Sequence, residues 1–285
     1  MGKMWRVFAT MLMVMGVCAC SPLHTFNALV PKDPGVQRIA GLAYGTDARQ
    51  AMDLYRPAHP ETTALPVIVF IYGGSWNSGD RQGYEFVGRA LAAKGFLVAI
   101  PDYRLVPQVH YPAFLQDNAA AVRWIAAHAA DYGGAPGRVV LVGHSAGAYN
   151  AAMVAMDPRW LGADRAVVRG FVGLAGPYDF APFVDKTVLD TFAGVTDQAS
   201  TQPAFHASAT TPPALLATGD RDTVVWPRNS DALARALIAK GVHVERKTYA
   251  RVGHAGLITA FAPPLRSKAD ILEATATFAR ACLAP

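Results

Sequence analysis

Apolar residues in this chain come in short unbroken runs rather than in strict alternation: Pro66 to Ile71, Phe96 to Ile100, Val139 to Val142 and Pro213 to Ala217. Runs of this length without polar interruption suit parallel strands covered on both faces. Between them lie stretches with helical spacing. These are Phe86 to Lys94, Phe114 to Ala130, Ala146 to Met156, Ser230 to Lys240 with Gly241 as its stop, and Ala269 to Cys282. Alternating strand and helix predicts an α/β fold with a mostly parallel, doubly wound sheet, whose sites sit at the carboxyl ends of the strands. Segments near Arg38 to Tyr44 and Arg49 to Arg56 predict an antiparallel start to that sheet, and Val242 to Tyr249 a late strand.

The run Val139 to Val142 leads into Gly143-His144-Ser145-Ala146-Gly147 and then into an Ala-rich helical stretch. Strand, G-x-S-x-G and helix in that order is the context of a nucleophile elbow, a turn so tight that the serine side chain stands exposed while small neighbours let the backbones pass. Ser145 is the candidate nucleophile. It needs a base to take its proton and a third group to orient that base. In this arrangement the chain order is Ser, then Asp or Glu, then His. Asp222, on the loop after the Pro213 to Ala217 strand, and His254, in Val252-Gly253-His254-Ala255-Gly256 on a loop after the next strand, supply them. One αβ unit separates the two, which puts both on the same rim of the sheet. Asp220 is expected to cap its own loop through backbone N–H groups. His144 is expected to turn its side chain away from the nucleophile and to pack.

A tetrahedral intermediate also needs N–H donors aimed at its oxyanion. The strand Pro66 to Ile71 runs into Tyr72-Gly73-Gly74-Ser75-Trp76, so the N–H groups of Gly74 and Ser75 join that of Ala146 as candidate oxyanion-hole donors. No H-E-x-x-H and no Cys/His cluster with metal spacing occurs, which disfavours a metal-dependent hydrolase. No metal and no cofactor is expected.

These marks, together with Met52-Asp53-Leu54-Tyr55-Arg56-Pro57, Asp102-Tyr103-Arg104-Leu105 and Gly219-x-x-Asp222-x-x-Val225, resemble the α/β-hydrolase superfamily. The resemblance is to its esterase branch, with hormone-sensitive-lipase-like carboxylesterases and arylformamidase-like enzymes, and covers the chain from about Ala40 onward. It implies an α/β-hydrolase fold, the triad Ser145, Asp222 and His254, and a carboxylic ester with a short or medium acyl chain as small-molecule substrate. One departure is Tyr72, where the family usually has the histidine of H-G-G-x-W. Asp102 and Arg104 are expected to form a structural ion pair beneath the active site. The segment from about 177 to 212 falls where this fold inserts its cap. It carries Tyr178, Phe180, Phe183, Phe192, Phe205 and His206, a set that could line a pocket or fasten the cap.

With 285 residues and 52% hydrophobic content, the chain suits one such domain, read as residues 37–285 after a tether over 20–36. Residues 1–19 read as a lipoprotein signal peptide. Lys3 and Arg6 precede an apolar run from Val7 to Ala19, too short to span a bilayer, and Val17-Cys18-Ala19-Cys20-Ser21 resembles a bacterial lipobox with Cys20 as the lipidated residue. Processing there would leave Cys282 as the remaining thiol and no structural disulfide. A lipid anchor would make the membrane a partner and predicts a cell-envelope address, with the periplasmic face of the outer membrane favoured. The net charge of +5 drops to +3 once Lys3 and Arg6 leave, and no Lys/Arg run exists, so nucleic acid is excluded as a partner. Two other readings stand beside the esterase: an arylformamidase-like hydrolase of N-formyl aromatic amines, suggested by the Gly73 to Trp76 loop, and a membrane-tethered scaffold that keeps the fold without the chemistry.

Overall fold

Eight strands pair into one sheet in the order β1-β2-β4-β3-β5-β6-β7-β8 in the computed structural model, which describes residues 22–284 apart from Thr63. The signal segment 1–19 and Cys20 lie outside the described residues. The strands are β1 (Val36–Ala43), β2 (Ala51–Pro57), β3 (Leu65–Ile71), β4 (Leu97–Pro101), β5 (Gly134–His144), β6 (Val168–Leu174), β7 (Ala214–Gly219) and β8 (Val244–Tyr249). β1 and β2 run antiparallel to their neighbours, while β4 through β8 form a parallel array. The unbroken apolar runs are the central strands: Val67 to Ile71 and Val139 to Val142 are buried without exception. Covering both faces of the sheet demands this, because neither set of alternating side chains meets water.

Among the described residues nine helices accompany the sheet: α1 (Pro22–Leu29), α2 (Glu85–Ala92), α3 (Ala113–His128), α4 (Ala146–Met156), α5 (Pro158–Leu161), α6 (Lys186–Thr191), α7 (Arg228–Ile238), α8 (His254–Thr259) and α9 (Ile271–Leu283). α3 and α4 pack together on one face, and α2 and α9 on the other. α4 is buried along its whole length, which explains its run of alanines: only small side chains let a helix lie that close to β5 and β6. Within the stretch read as a tether, α1 packs onto the domain. His24 Nε2 lies 2.7 Å from Asp80 Oδ2, and Asn27 bonds both the Gln82 carbonyl and the Phe86 N–H.

Asp102 and Arg104 do not pair with each other. Asp102, one residue past β4, is held from the other side by Arg81, whose N–H donates to Asp102 Oδ1 at 2.7 Å and whose guanidinium bonds Oδ2. Arg81 Nε also donates to the buried Asp53 at 2.8 Å, and Arg38 closes the chain on Asp53 at 2.6 Å. Arg104 turns instead to Asp117 on α3, donating both its backbone N–H at 2.9 Å and its Nη2 at 2.7 Å. That second, backbone bond fixes which way Arg104 faces. Two consecutive-but-one residues at a strand end thus serve two separate ion pairs.

Candidate active site

Ser145 occupies the single residue between the end of β5 and the start of α4. Its backbone, at φ 57° and ψ −126°, is one that side-chain-bearing residues rarely adopt. The flanking glycines make the turn sterically possible. A Cβ on Gly143 would lie 2.3 Å from the Gly147 carbonyl oxygen, and one on Gly147 would lie 2.0 Å from that of Ile71. The strand therefore feeds the helix at backbone contact distance, and the serine side chain is pushed out at the carboxyl end of the sheet.

The three triad candidates meet there. Ser145 Oγ lies 2.9 Å from His254 Nε2, and His254 Nδ1 lies 2.8 Å from Asp222 Oδ2. An ionised carboxylate only accepts, so the Nδ1–H donates to Asp222 and leaves Nε2 unprotonated toward the serine hydroxyl. Asp222 Oδ1 accepts the N–H groups of Val224 at 3.0 Å and Val225 at 2.9 Å. Burial pushes the Asp222 carboxyl up, but the hydrogen bond and charge of His254, with those two N–H donors, hold it below the usual carboxylate value. His254 was expected on a loop; it is the first residue of α8, after the extended Gly253. Asp220 accepts the Arg251 N–H at 2.6 Å and so pins the turn leading to His254.

The loop after β3 carries three successive residues of positive φ: Gly74 at 133°, Ser75 at 51° and Trp76 at 59°. It runs against the nucleophile, since a Cβ on Gly73 would come within 2.8 Å of Ser145 Cβ. The N–H groups of Gly74, Ser75 and Ala146 find no acceptor among the described residues. Such unspent donors beside a nucleophile are what an oxyanion requires. Trp76 fastens the loop, donating its indole N–H to Asn150 Oδ1 at 2.9 Å on α4. Asn150 was not singled out from the sequence, although a lone polar residue in an otherwise apolar helix is a visible signal.

His144 packs, as expected, but against the candidate base: its ring centroid is 4.8 Å from that of His254, and its Nε2 is 3.3 Å from the His254 carbonyl oxygen. Burial first, and the neighbouring His254 second, lower its pKa to about 3, which keeps the ring neutral. Tyr72 stacks between Tyr103 and Tyr84, with centroids 4.8 and 5.4 Å away. Of the cap aromatics, Phe180 faces a cavity of about 360 Å³ that also exposes Ser75, Trp76, Ser145 and Ala146. Tyr178 and Phe192 are buried, and Phe205 is exposed. Cys282 is a free, half-buried thiol pushed by burial up to about 11. Among the described residues no three His, Cys, Asp or Glu side chains gather where one metal ion could be held.

The model of the BD-FAE family matches residues 52–237. Carboxylesterase NlhH of Mycobacterium tuberculosis is 31% identical over 229 residues, covering 72% of this chain and 70% of its own length. Esterase LipC of the same organism is 31% identical over 207 residues, or 64% of this chain, which spans only 50% of the length of LipC. Among solved structures, a thermostable esterase from Pseudomonas putida superposes with a TM-score of 0.69 at 26% identity, over 90% of this chain and 85% of that one. Esterase B from Lactobacillus rhamnosis, bound to a tributyrin phosphonate, shares the fold with a TM-score of 0.78 at 22% identity, over 91% and 90% of the two chains.

Proposed function

We propose that this chain, which belongs to the BD-FAE family, is a serine carboxylic-ester hydrolase working through an acyl-enzyme on Ser145. Ser145 Oγ attacks the ester carbonyl carbon while His254 Nε2 takes its proton, and the carbonyl electron pair moves onto the oxygen, which the N–H groups of Gly74, Ser75 and Ala146 receive. Collapse of this intermediate breaks the carbon–oxygen bond to the alcohol, which leaves with the proton from His254. Water, deprotonated by the same histidine, then attacks the acyl carbon and frees Ser145. Asp222 holds the imidazole in the required tautomer and offsets its transient positive charge.

The observation that carries this reading is the unbroken relay from Ser145 Oγ through His254 to Asp222, at 2.9 and 2.8 Å, beside N–H groups that bond nothing else among the described residues. A fluorophosphonate probe followed by peptide mapping tests it. Stoichiometric labelling of Ser145 is expected, and an unlabelled, folded protein would overturn the proposal. The substrate class, an ester with a short or medium acyl chain, is supported by the names of the esterase relatives and by a cavity of about 360 Å³, which suits a small ligand. The cell-envelope address is supported by Lys3, Arg6 and the apolar run before Cys20 and Ser21. In that reading Cys20 carries the lipid and the enzyme sits on the periplasmic face of the outer membrane.

A further inference from the structure

The cavity at Ser145 has a one-sided lining. It includes the nucleophile and the candidate oxyanion donors Ser75 and Ala146, but His254, past which the leaving alcohol departs with its proton, is not part of its wall. A cavity lined in this way suits the acyl half of an ester. Its wall is largely apolar, with Trp76, Phe180, Val188, Val225 and Trp226, and its two charged members are Arg228 and Asp185. Trp226 and Val224 are exposed there to 57% and 67%, an unusual outlay of apolar surface at one mouth.

Arg228 is the uncommitted cation of this wall. Its guanidinium lies over the Trp226 ring at 5.7 Å and enters no hydrogen bond or ion pair among the described residues. Arg81 is spent on Asp53 and Asp102, Arg104 on Asp117, and Arg159 on Asp157, and the arginines whose guanidinium groups also lack a partner among the described residues, Arg169, Arg221, Arg235 and Arg251, do not line this cavity. The one carboxylate in the same wall, Asp185, uses Oδ1 to accept the N–H groups of Thr187 and Val188 at the start of α6. Contact with an aromatic face leaves the N–H edges of an arginine open, and those edges match a carboxylate two at a time.

We propose that Arg228 is a specificity-determining residue for acyl groups that end in a carboxylate, so that the preferred esters are monoesters of dicarboxylic acids with an apolar stem between the two ends. The stem lies along Phe180, Val188 and Trp226, and the distal carboxylate pairs with Arg228. This rests on the serine-esterase reading above.

The test compares 4-nitrophenyl hydrogen adipate with the ester whose distal carboxylate is replaced by an uncharged amide, each corrected for spontaneous hydrolysis. A charge-assisted pair at a partly screened mouth is expected to raise kcat/KM for the anion by about 10-fold, through KM, and added salt should lower that preference. Arg228→Gln should bring the ratio of the two esters close to one, Arg228→Lys should keep part of it, and Asp185→Asn, which preserves the helix cap, should enlarge it. A wild-type ratio near one, or a ratio that Arg228→Gln leaves unchanged, overturns the assignment and leaves the esterase reading standing. Hydrolysis of neither ester, with Ser145 unlabelled by fluorophosphonate, overturns both.

Discussion

The Tyr72 hydroxyl donates to Asp102 Oδ1 over 2.9 Å and accepts from Arg49 Nη2 over 2.8 Å, directly beneath the loop that faces Ser145. The resemblance to the H-G-G-x-W pattern implies a histidine at this position. Here the phenol reaches farther down than an imidazole and joins the chain of charges that runs through Asp102, Arg81, Asp53 and Arg38. Burial raises the Asp102 carboxyl above its ordinary value, and Arg81 and Tyr72 are among the groups that pull it back. Tyr72 is thus part of the footing of the loop, with its side chain engaged away from the reacting centre.

Tyr72→Phe should keep the aromatic stack and lose only the hydroxyl. Leaving one partner of Asp102 unmade is expected to cost about 1–3 kcal/mol in chemical denaturation. Turnover should stay within a few-fold of wild type. A collapse of kcat without loss of stability would instead assign the phenol a part in the chemistry.

Ser145→Ala should abolish esterase turnover and leave at most the residual acceleration of binding and the oxyanion donors, about 10³–10⁴ over water. Ser145→Gly should be equally inactive but more stable than Ser145→Ala, by roughly 1 kcal/mol, because glycine adopts the φ of 57° without strain. Urea denaturation of the pair measures the difference. Equal stability would show that the elbow stores no strain.

Asp222 and Asp220 are neighbours with different employments. Asp222→Asn presents an amide where His254 Nδ1–H needs an acceptor, and should lower kcat by about 10⁴ through the wrong imidazole tautomer. Asp220→Asn weakens only the bond to the Arg251 N–H, so its effect should fall mainly on stability. Steady-state kinetics on both variants decides it. The reverse order of damage would transfer the triad role to Asp220.

Acid should destabilise this protein through His144. Its folded pKa of about 3 lies below the ordinary 6.5 because burial, and then His254, disfavour the charged ring. Between those values the unfolded chain binds more protons than the folded one, so stability falls as pH drops from about 6.5 toward 3. Asp222, whose folded pKa is depressed, contributes stability present above its ordinary 3.8 and lost at still lower pH, so it adds little to the upper part of that window. Urea midpoints between pH 7 and about 4 should therefore slope more steeply for wild type than for His144→Gln. Parallel slopes would show that His144 is not the group responsible.

Cys20 is expected to carry the lipid. Expression in a bacterial host with labelled palmitate should yield a labelled, detergent-requiring protein, and Cys20→Ser should lose the label and accumulate as precursor or soluble protein. Palmitate incorporation that survives in Cys20→Ser refutes the assignment.

Order along the chain was enough to read seven of the eight strands, five of the nine described helices and the elbow, because each depends on neighbours close in sequence: Val139 to Val142 must be buried on both faces, and Gly143 must let β5 and α4 touch. The pairing of Asp222 with His254 was legible for a similar reason, since a single αβ unit fixes their separation across β7 and β8. Side-chain partners across the fold were not. Arg104 chose Asp117 on the next helix over the nearer Asp102, while Asn150 met the indole of Trp76 and His144 the ring of His254 through contacts between elements far apart in the chain. Which of several nearby charges or rings a side chain finds is set by the packing of whole helices against the sheet. That packing is a collective outcome of the buried core, and no local stretch of sequence encodes it.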